Sequence, residues 1–97
     1  MSDRFTCLNE AAQAVQARQG AYGAPEDLFA TIDVVYGALV EVTPDDVPEG
    51  VLSALFLAAV KLVRAASNPA HMDNWVDLAG YASLGYELAA NADEPIL

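Results

Sequence analysis

The stretch from residue 50 to residue 66 constrains the fold more than any other part of the chain. In a helix built from it, apolar side chains cover nearly the whole cylinder. Polar side chains share a stripe of roughly 120°, formed by Ser53, Lys61, Arg64 and Asn68. Such a helix is buried by other helices or by a second subunit. We therefore predict a central helix in an all-α protein.

Proline and glycine divide the chain around this segment. Gly20 is predicted to end the first helix, and Pro25 suits the first position of the second. Pro69 ends the third helix, because the residue before a proline avoids helical angles. The predicted helices are at about 3–18, 25–41, 49–67 and 72–91. The fold predicted is a four-helix, bundle-like single domain over residues 1–97, with a disordered tail at 92–97.

Helical spacing also predicts which faces are buried. The first helix is expected to pack on its neighbours through Phe5, Leu8, Ala12 and Val15. The core face of the last helix is predicted to comprise Trp75, Leu78, Ala82, Tyr86 and Ala89. Gly80 and Gly85 weaken that helix, so we expect a neighbouring backbone to approach them closely. Thr43 is predicted to cap a single short helical turn between the second and third helices.

Charge and composition narrow the classes of function. The net charge is −10 and the sequence pI is near 4.1. An acidic protein repels phosphate backbones and anionic lipids, so we expect neither nucleic-acid nor membrane binding. A single cysteine excludes a disulfide scaffold. Without a signal peptide or an apolar membrane span, the expected location is the cytoplasm. Apolar residues make up 55% of this small chain, which favours a homodimer or higher oligomer that covers some of them.

Four charges near the third helix–helix connection form the main candidate site. The short link between the last two helices predicts an antiparallel hairpin. Counting outward from the link places Lys61 and Arg64 beside Asp73 and Asp77. Two cations on an otherwise apolar helix are costly unless they are paired. The cluster either fixes the helix register or forms a ligand site. In a ligand site, the cations bind phosphate and Asp73 and Asp77 hold Mg²⁺ with Glu10 or another acid, and these two interpretations are compatible.

Three further residues complete the candidate ligand site. Arg18 lies in the predicted last turn of the first helix, where a cation is favourable. Tyr22 lies between two glycines, where its ring is able to cover a ligand, and Tyr81 shares a helix face with Asp77. His71 is interpreted as a helix-entry or hydrogen-bonding residue. The predicted ligand-binding set is Arg18, Tyr22, Lys61, Arg64, Asp73, Asp77 and Tyr81.

The chain resembles a family of small phage and prophage proteins of unknown function. The resemblance covers about residues 7–90, and its most specific motif runs from His71 to Tyr81. The other matching pieces are Glu10-Ala11-Ala12, Arg18, Tyr22-Gly23-Ala24-Pro25, Phe29, the segment 43–47 and the segment 61–64. If phage-encoded, the protein is expected in the host cytoplasm.

That family is in turn similar to the all-α nucleotide pyrophosphohydrolases of the MazG kind. The resemblance implies a helical oligomer that binds Mg²⁺ and nucleoside triphosphates. MazG-like enzymes hold the metal with a Glu-x-x-Glu pair and a Glu-x-x-Asp pair. This chain departs from that pattern: Glu10 has no acid three or four residues later, and the other pair is Asp73-x-x-x-Asp77.

Three functional hypotheses follow from the sequence. The first is a protein that binds a phosphorylated small molecule, with a nucleotide as the expected ligand, whether or not it catalyses a reaction. The second is a Mg²⁺-dependent nucleotide pyrophosphohydrolase with Glu10, Asp73 and Asp77 as metal ligands. The third is a non-enzymatic acidic oligomer that docks on a host protein, with the charge cluster as scaffolding.

Overall fold

The chain folds into four α-helices. The computed structural model describes residues 3–92, except for the side chains of Gln19, Ala21 and Tyr22. The helices are α1 (Arg4–Tyr22), α2 (Pro25–Val42), α3 (Val51–Ser67) and α4 (Met72–Ala90). Residues 3–92 contain no strand, and the predicted all-α, four-helix fold is confirmed. The predicted disordered tail, from residue 93 onward, falls outside the described residues.

None of the helices within residues 3–92 combines the length and the apolar character needed to cross a bilayer.

The break between α1 and α2 lies further along the chain than predicted. Gly20 remains helical, and α1 continues to Tyr22. Pro25 is at the start of α2, as predicted, and it forces the preceding Ala24 into an extended conformation (φ −69°, ψ 131°). Gly23 makes the turn with φ 82°, a value that glycine adopts easily. The proline therefore sets the position of the break, and the predicted end at residue 18 was wrong.

The connection between α2 and α3 depends on a glycine rather than on a threonine cap. Thr43 ends α2, and its hydroxyl donates to the Leu39 carbonyl at 2.7 Å, so its predicted capping role was wrong. The single turn predicted after it is present, since the Val47 N–H donates to the Pro44 carbonyl at 3.2 Å. Gly50 then precedes α3 with φ 86°.

Helix α3 lies between α2 and α4, as its apolar surface predicted. Its buried side chains are Ala54, Ala59, Val63 and Ala65. On the α2 side, the Tyr36 and Phe56 rings meet edge to face with centroids 5.2 Å apart. On the α4 side, a Cβ atom added to Gly85 would lie 3.4 Å from the Ala54 Cβ. The core is therefore thin and consists mainly of small side chains.

Helix α4 is rotated about its axis relative to the prediction. Trp75 and Tyr86, both predicted to be core residues, are exposed, whereas Asn74 is only 2% exposed. The inward face is shifted by roughly 70° at 100° per residue. The backbone approach predicted at the two glycines is not found: the neighbour at Gly85 is the Ala54 side chain, and a Cβ atom added at Gly80 would meet nothing within 4 Å. An amphipathic stripe is weak in this helix because apolar residues occur on most of its faces.

Helix α1 diverges from the rest of the molecule. All of its described side chains are exposed, including Phe5 at 66% and Leu8 at 64%, so the predicted packing of its apolar face is not made within one chain. Asp3 begins the helix by accepting a hydrogen bond from the Thr6 N–H at 2.8 Å. That bond holds the pKa of Asp3 below its ordinary value.

The divergent helix gives the chain an open shape. The radius of gyration is 16.5 Å, against about 12.5 Å for a compact domain of this length. The accessible surface is 7282 Å², against about 5300 Å² for a folded monomer of this mass. About 2000 Å² per chain is therefore exposed beyond what a compact monomer exposes.

Candidate ligand-binding site

The last two helices form the predicted antiparallel hairpin, and its register brings opposite charges together. Lys61 Nζ lies 2.8 Å from Asp77 Oδ2. At the other end of the hairpin, a Cβ atom added to Gly50 would lie 3.1 Å from Leu88 Cδ1. The same register places Arg64 level with Asn74. The convergence inferred from the short helix link is thus present for Lys61 and Asp77.

The helix dipoles stabilise the charged residues at this connection. Arg64 lies in the last turn of α3 and Asp73 in the first turn of α4. The carbonyl end of a helix favours a cation, and its N–H end favours an anion. The connection is held by His71, whose N–H donates to the Asn68 carbonyl at 3.1 Å. The Trp75 indole N–H donates to the Pro69 carbonyl at 3.0 Å.

A cavity of about 390 Å³ opens beside this cluster. Its walls come from the end of α1, the second half of α3 and the start of α4. The lining residues are Ala17, Arg18, Lys61, Arg64, His71, Asp73, Asn74 and Asp77. Five of the seven predicted ligand-binding residues therefore surround one cavity. Their role in binding remains a prediction.

The charge of this cavity contrasts with that of the whole chain. Arg18, Lys61 and Arg64 are three of the four basic residues in a protein of net charge −10. With His71 neutral, three cations against two carboxylates give the cavity walls a net charge of +1. The cavity walls therefore carry positive charge in an acidic protein, which suits an anion.

Lys61 is oriented by Asp77 while it keeps hydrogen-bonding capacity. Its side chain is 18% exposed, against 46% for Asp77. An ammonium group carries three N–H donors, and the contact with Asp77 Oδ2 uses one of them. Arg64 is half-buried, and it also interacts with other groups of the chain. The two cations are therefore partly fixed before any ligand arrives.

Two of the predicted residues, Tyr81 and Glu10, are not among the described residues that line the cavity. Tyr81 is half-buried one turn beyond Asp77, and the side chain of Tyr22 falls outside the described part of the chain. Glu10 is exposed on α1. Among residues 3–92, no three His, Cys, Asp or Glu side chains are arranged to hold a metal ion. The single chain thus does not assemble Glu10, Asp73 and Asp77 into the predicted Mg²⁺ site.

Two residues of the cavity were not predicted to belong to it. His71 was expected only to enter the helix or form hydrogen bonds, and it does occupy the cap position before α4. Asn74 is the buried polar residue of α4. The spacing of His71, Asn74 and Asp77, one turn apart, was the available signal. It was missed because the predicted inward face of α4 was wrong.

A second cavity of about 470 Å³ lies between α2 and α3 and is mainly apolar. We call it the α2–α3 groove. It is lined by Asp27, Leu28, Thr31, Val35, Leu62, Val63, Ala66 and Ser67. Leu28 and Val35 are half-buried, and Leu62 is 47% exposed. Within the described residues, the groove therefore presents an apolar surface that is only partly covered.

The fold and the cavity define a small all-α domain with a polar site at one helix hairpin. The chain belongs to the DUF6378 family, a domain of unknown function whose family model matches residues 6–89. Comparisons with curated proteins and with solved structures gave no match.

Proposed function

We propose that this protein binds a phosphorylated small molecule, with a nucleotide as the expected ligand, in the cavity at the α3–α4 hairpin. The observation that carries the proposal is the gathering of Arg18, Lys61 and Arg64 around about 390 Å³ in a strongly acidic chain. Cations that converge on a cavity are the usual recognition groups for phosphate oxygens.

The carboxylates have a supporting role in this proposal. Asp77 holds Lys61 at 2.8 Å, and Asp73 lies on the same cavity wall. A carboxylate beside a cation fixes its direction without removing all of its donors. Tyr81 is half-buried one turn beyond Asp77, and it is our candidate for contact with a base.

The nature of the ligand is inferred from chemistry and from sequence resemblance. A cavity of this volume falls within the usual range for small-ligand sites, about 300–1000 Å³. The resemblance to phage proteins and to MazG-like enzymes is the reason to test nucleotides first. In this proposal the protein acts in the cytoplasm, and in that of the host cell if it is phage-encoded.

Thermal stability in the presence of ligands tests the proposal. Inorganic pyrophosphate, nucleoside triphosphates, cyclic dinucleotides and ADP-ribose are added singly to the purified chain. A ligand at 100 times its Kd adds about 2.7 kcal/mol to the free energy of unfolding. We expect at least one phosphorylated compound to raise Tm. No shift with any of them would favour the alternative protein that docks on a host partner.

Two arginines of α1 provide a matched pair of variants. Arg18 lines the cavity, whereas Arg4 lies over the Phe5 ring at 5.3 Å and does not line it. Both are exposed and carry the same charge. Arg18→Ala is expected to weaken binding at least several-fold, and Arg4→Ala to leave it nearly unchanged. Equal losses would mean that only the overall charge matters.

Pyrophosphate release separates binding from hydrolysis. The same nucleotides are incubated with the protein with and without Mg²⁺, and pyrophosphate is measured. Release that requires Mg²⁺ and is lost in Asp73→Asn would establish the pyrophosphohydrolase instead of a binding protein. Binding without release is the result that our proposal expects.

A further inference from the structure

We infer that two copies of this chain associate by exchanging α1, so that the apolar face of α1 in one copy fills the α2–α3 groove of the other. The first observation is the exposure of that face. Phe5, Leu8 and Val15 follow one another at helical spacing and all three are more than half exposed. Helices in proteins are stabilised chiefly by packing of such a face, so α1 needs a surface to pack against.

The second observation is that the complementary surface exists in the same chain. The α2–α3 groove holds about 470 Å³ among apolar side chains such as Leu28, Val35 and Leu62. An exposed apolar helix and an unfilled apolar groove on one molecule are complementary between two copies. In a dimer with twofold symmetry, α1 of each copy docks in the α2–α3 groove of the other copy. Both helices and both grooves are then covered.

The surface area agrees with a stable dimer. Each chain exposes about 2000 Å² more than a compact monomer of its mass. Stable homodimers bury about 1000–2500 Å² per subunit. An interface between two copies would cover the part of this excess that belongs to the exposed face of α1 and to the α2–α3 groove.

The charge distribution identifies α1 as the element suited to approach another copy. Up to residue 22 the chain carries two acids, Asp3 and Glu10, and two bases, Arg4 and Arg18. The net charge of −10 therefore belongs entirely to the residues after 22. Docking a neutral helix on an acidic body avoids most of the repulsion that two acidic surfaces would meet.

The exchange also bears on the polar cavity. Arg18 reaches that cavity from the end of α1. A contact that holds α1 in place therefore also holds Arg18 at the cavity. If the proposed function holds, dimer formation is expected to strengthen anion binding. This coupling rests on the proposed function, whereas the dimer itself does not.

Solution mass and three matched variants test the dimer. The wild-type chain of 10.2 kDa is expected to have about twice that mass by light scattering at tens of micromolar. Leu8→Glu on α1 and Leu62→Glu in the groove are each expected to give monomers. Val76→Glu, a substitution at a residue 67% exposed on α4, is the control and is expected to remain dimeric. Circular dichroism verifies that each variant is helical.

The only cysteine locates the contact. Cys7 is exposed on α1 beside Leu8, so a paramagnetic label on its thiol reports the position of α1. Labelled chains are mixed with unlabelled, isotope-enriched chains, so that any NMR broadening is intermolecular. We expect broadening at Leu28, Val35 and Leu62.

Three results would overturn the inference. The first is a monomeric wild type at all concentrations, and the second is a dimer that Val76→Glu disrupts and Leu8→Glu does not. The third is intermolecular broadening that spares the α2–α3 groove. Ligand binding by a monomeric wild type would refute the exchange while leaving the proposed function standing.

Discussion

Replacement of Asp77 by asparagine separates the structural role of this carboxylate from its effect on a bound anion, because the first is measured as stability and the second as affinity. The change removes the 2.8 Å ion pair with Lys61 while keeping the size of the side chain. Exposed ion pairs contribute about 0.2–1 kcal/mol, and loss of one partner of a fully buried pair costs about 3–5 kcal/mol. Lys61 is mostly buried and Asp77 is half exposed, so we expect a loss of about 1–2 kcal/mol.

The same substitution should strengthen anion binding. A carboxylate about 6 Å from a bound phosphate opposes it by about 0.7 kcal/mol per unit charge at the dielectric constant of water, and by about 2.8 kcal/mol at an effective value of 20. Removal of the Asp77 charge should therefore raise the affinity for the anion by about threefold at the first dielectric constant and about a hundredfold at the second. Because added salt screens this repulsion, we expect the gain in affinity to approach about threefold at high ionic strength.

Two measurements on one set of proteins decide the result. Urea denaturation gives the change in stability, and calorimetric titration with inorganic pyrophosphate gives the affinity. Asp45→Asn is the control, because Asp45 is exposed in a turn and its replacement changes the net charge equally. Pyrophosphate affinity that is unchanged or lower in Asp77→Asn, relative to Asp45→Asn, would refute the argument that Asp77 stands beside the anion.

Other predictions concern the fold that supports the site. Gly50→Ala should lower the free energy of unfolding by about 1–2 kcal/mol in urea, because φ is 86° there. Gly80→Ala should raise it by about 1 kcal/mol, since the site is helical and open; equal effects would contradict both arguments. Trp75→Phe should cost about 0.5–1.5 kcal/mol through loss of the hydrogen bond to Pro69, and an unchanged urea midpoint would show that this bond contributes little. The lowered pKa of Asp3 means that its stabilisation of α1 is complete above its ordinary value of 3.8 and is lost as the pH falls through the lower folded pKa. Helicity measured by circular dichroism should therefore show an acid loss that Asp3→Ala lacks, and an identical acid titration of the two proteins would contradict this.

Sequence reasoning was most reliable where single residues impose backbone geometry. The proline at position 25 and the hairpin link after Asn68 act on their immediate neighbours. Their effects could therefore be predicted without knowledge of the tertiary structure. The proximity of Lys61 and Arg64 to the two carboxylates followed from the same local information, since a short link leaves an antiparallel hairpin few possible registers.

The tertiary structure decided how each helix is rotated and where α1 points. In a chain with 55% apolar residues, several faces of α4 have nearly equal hydrophobicity, so packing against α3 selects among them. That selection buries Asn74 and exposes Trp75. Arg18 reaches the cavity because α1 runs on to Tyr22 and turns at Gly23. Contacts between residues far apart in sequence depend on such angles, which no local pattern encodes.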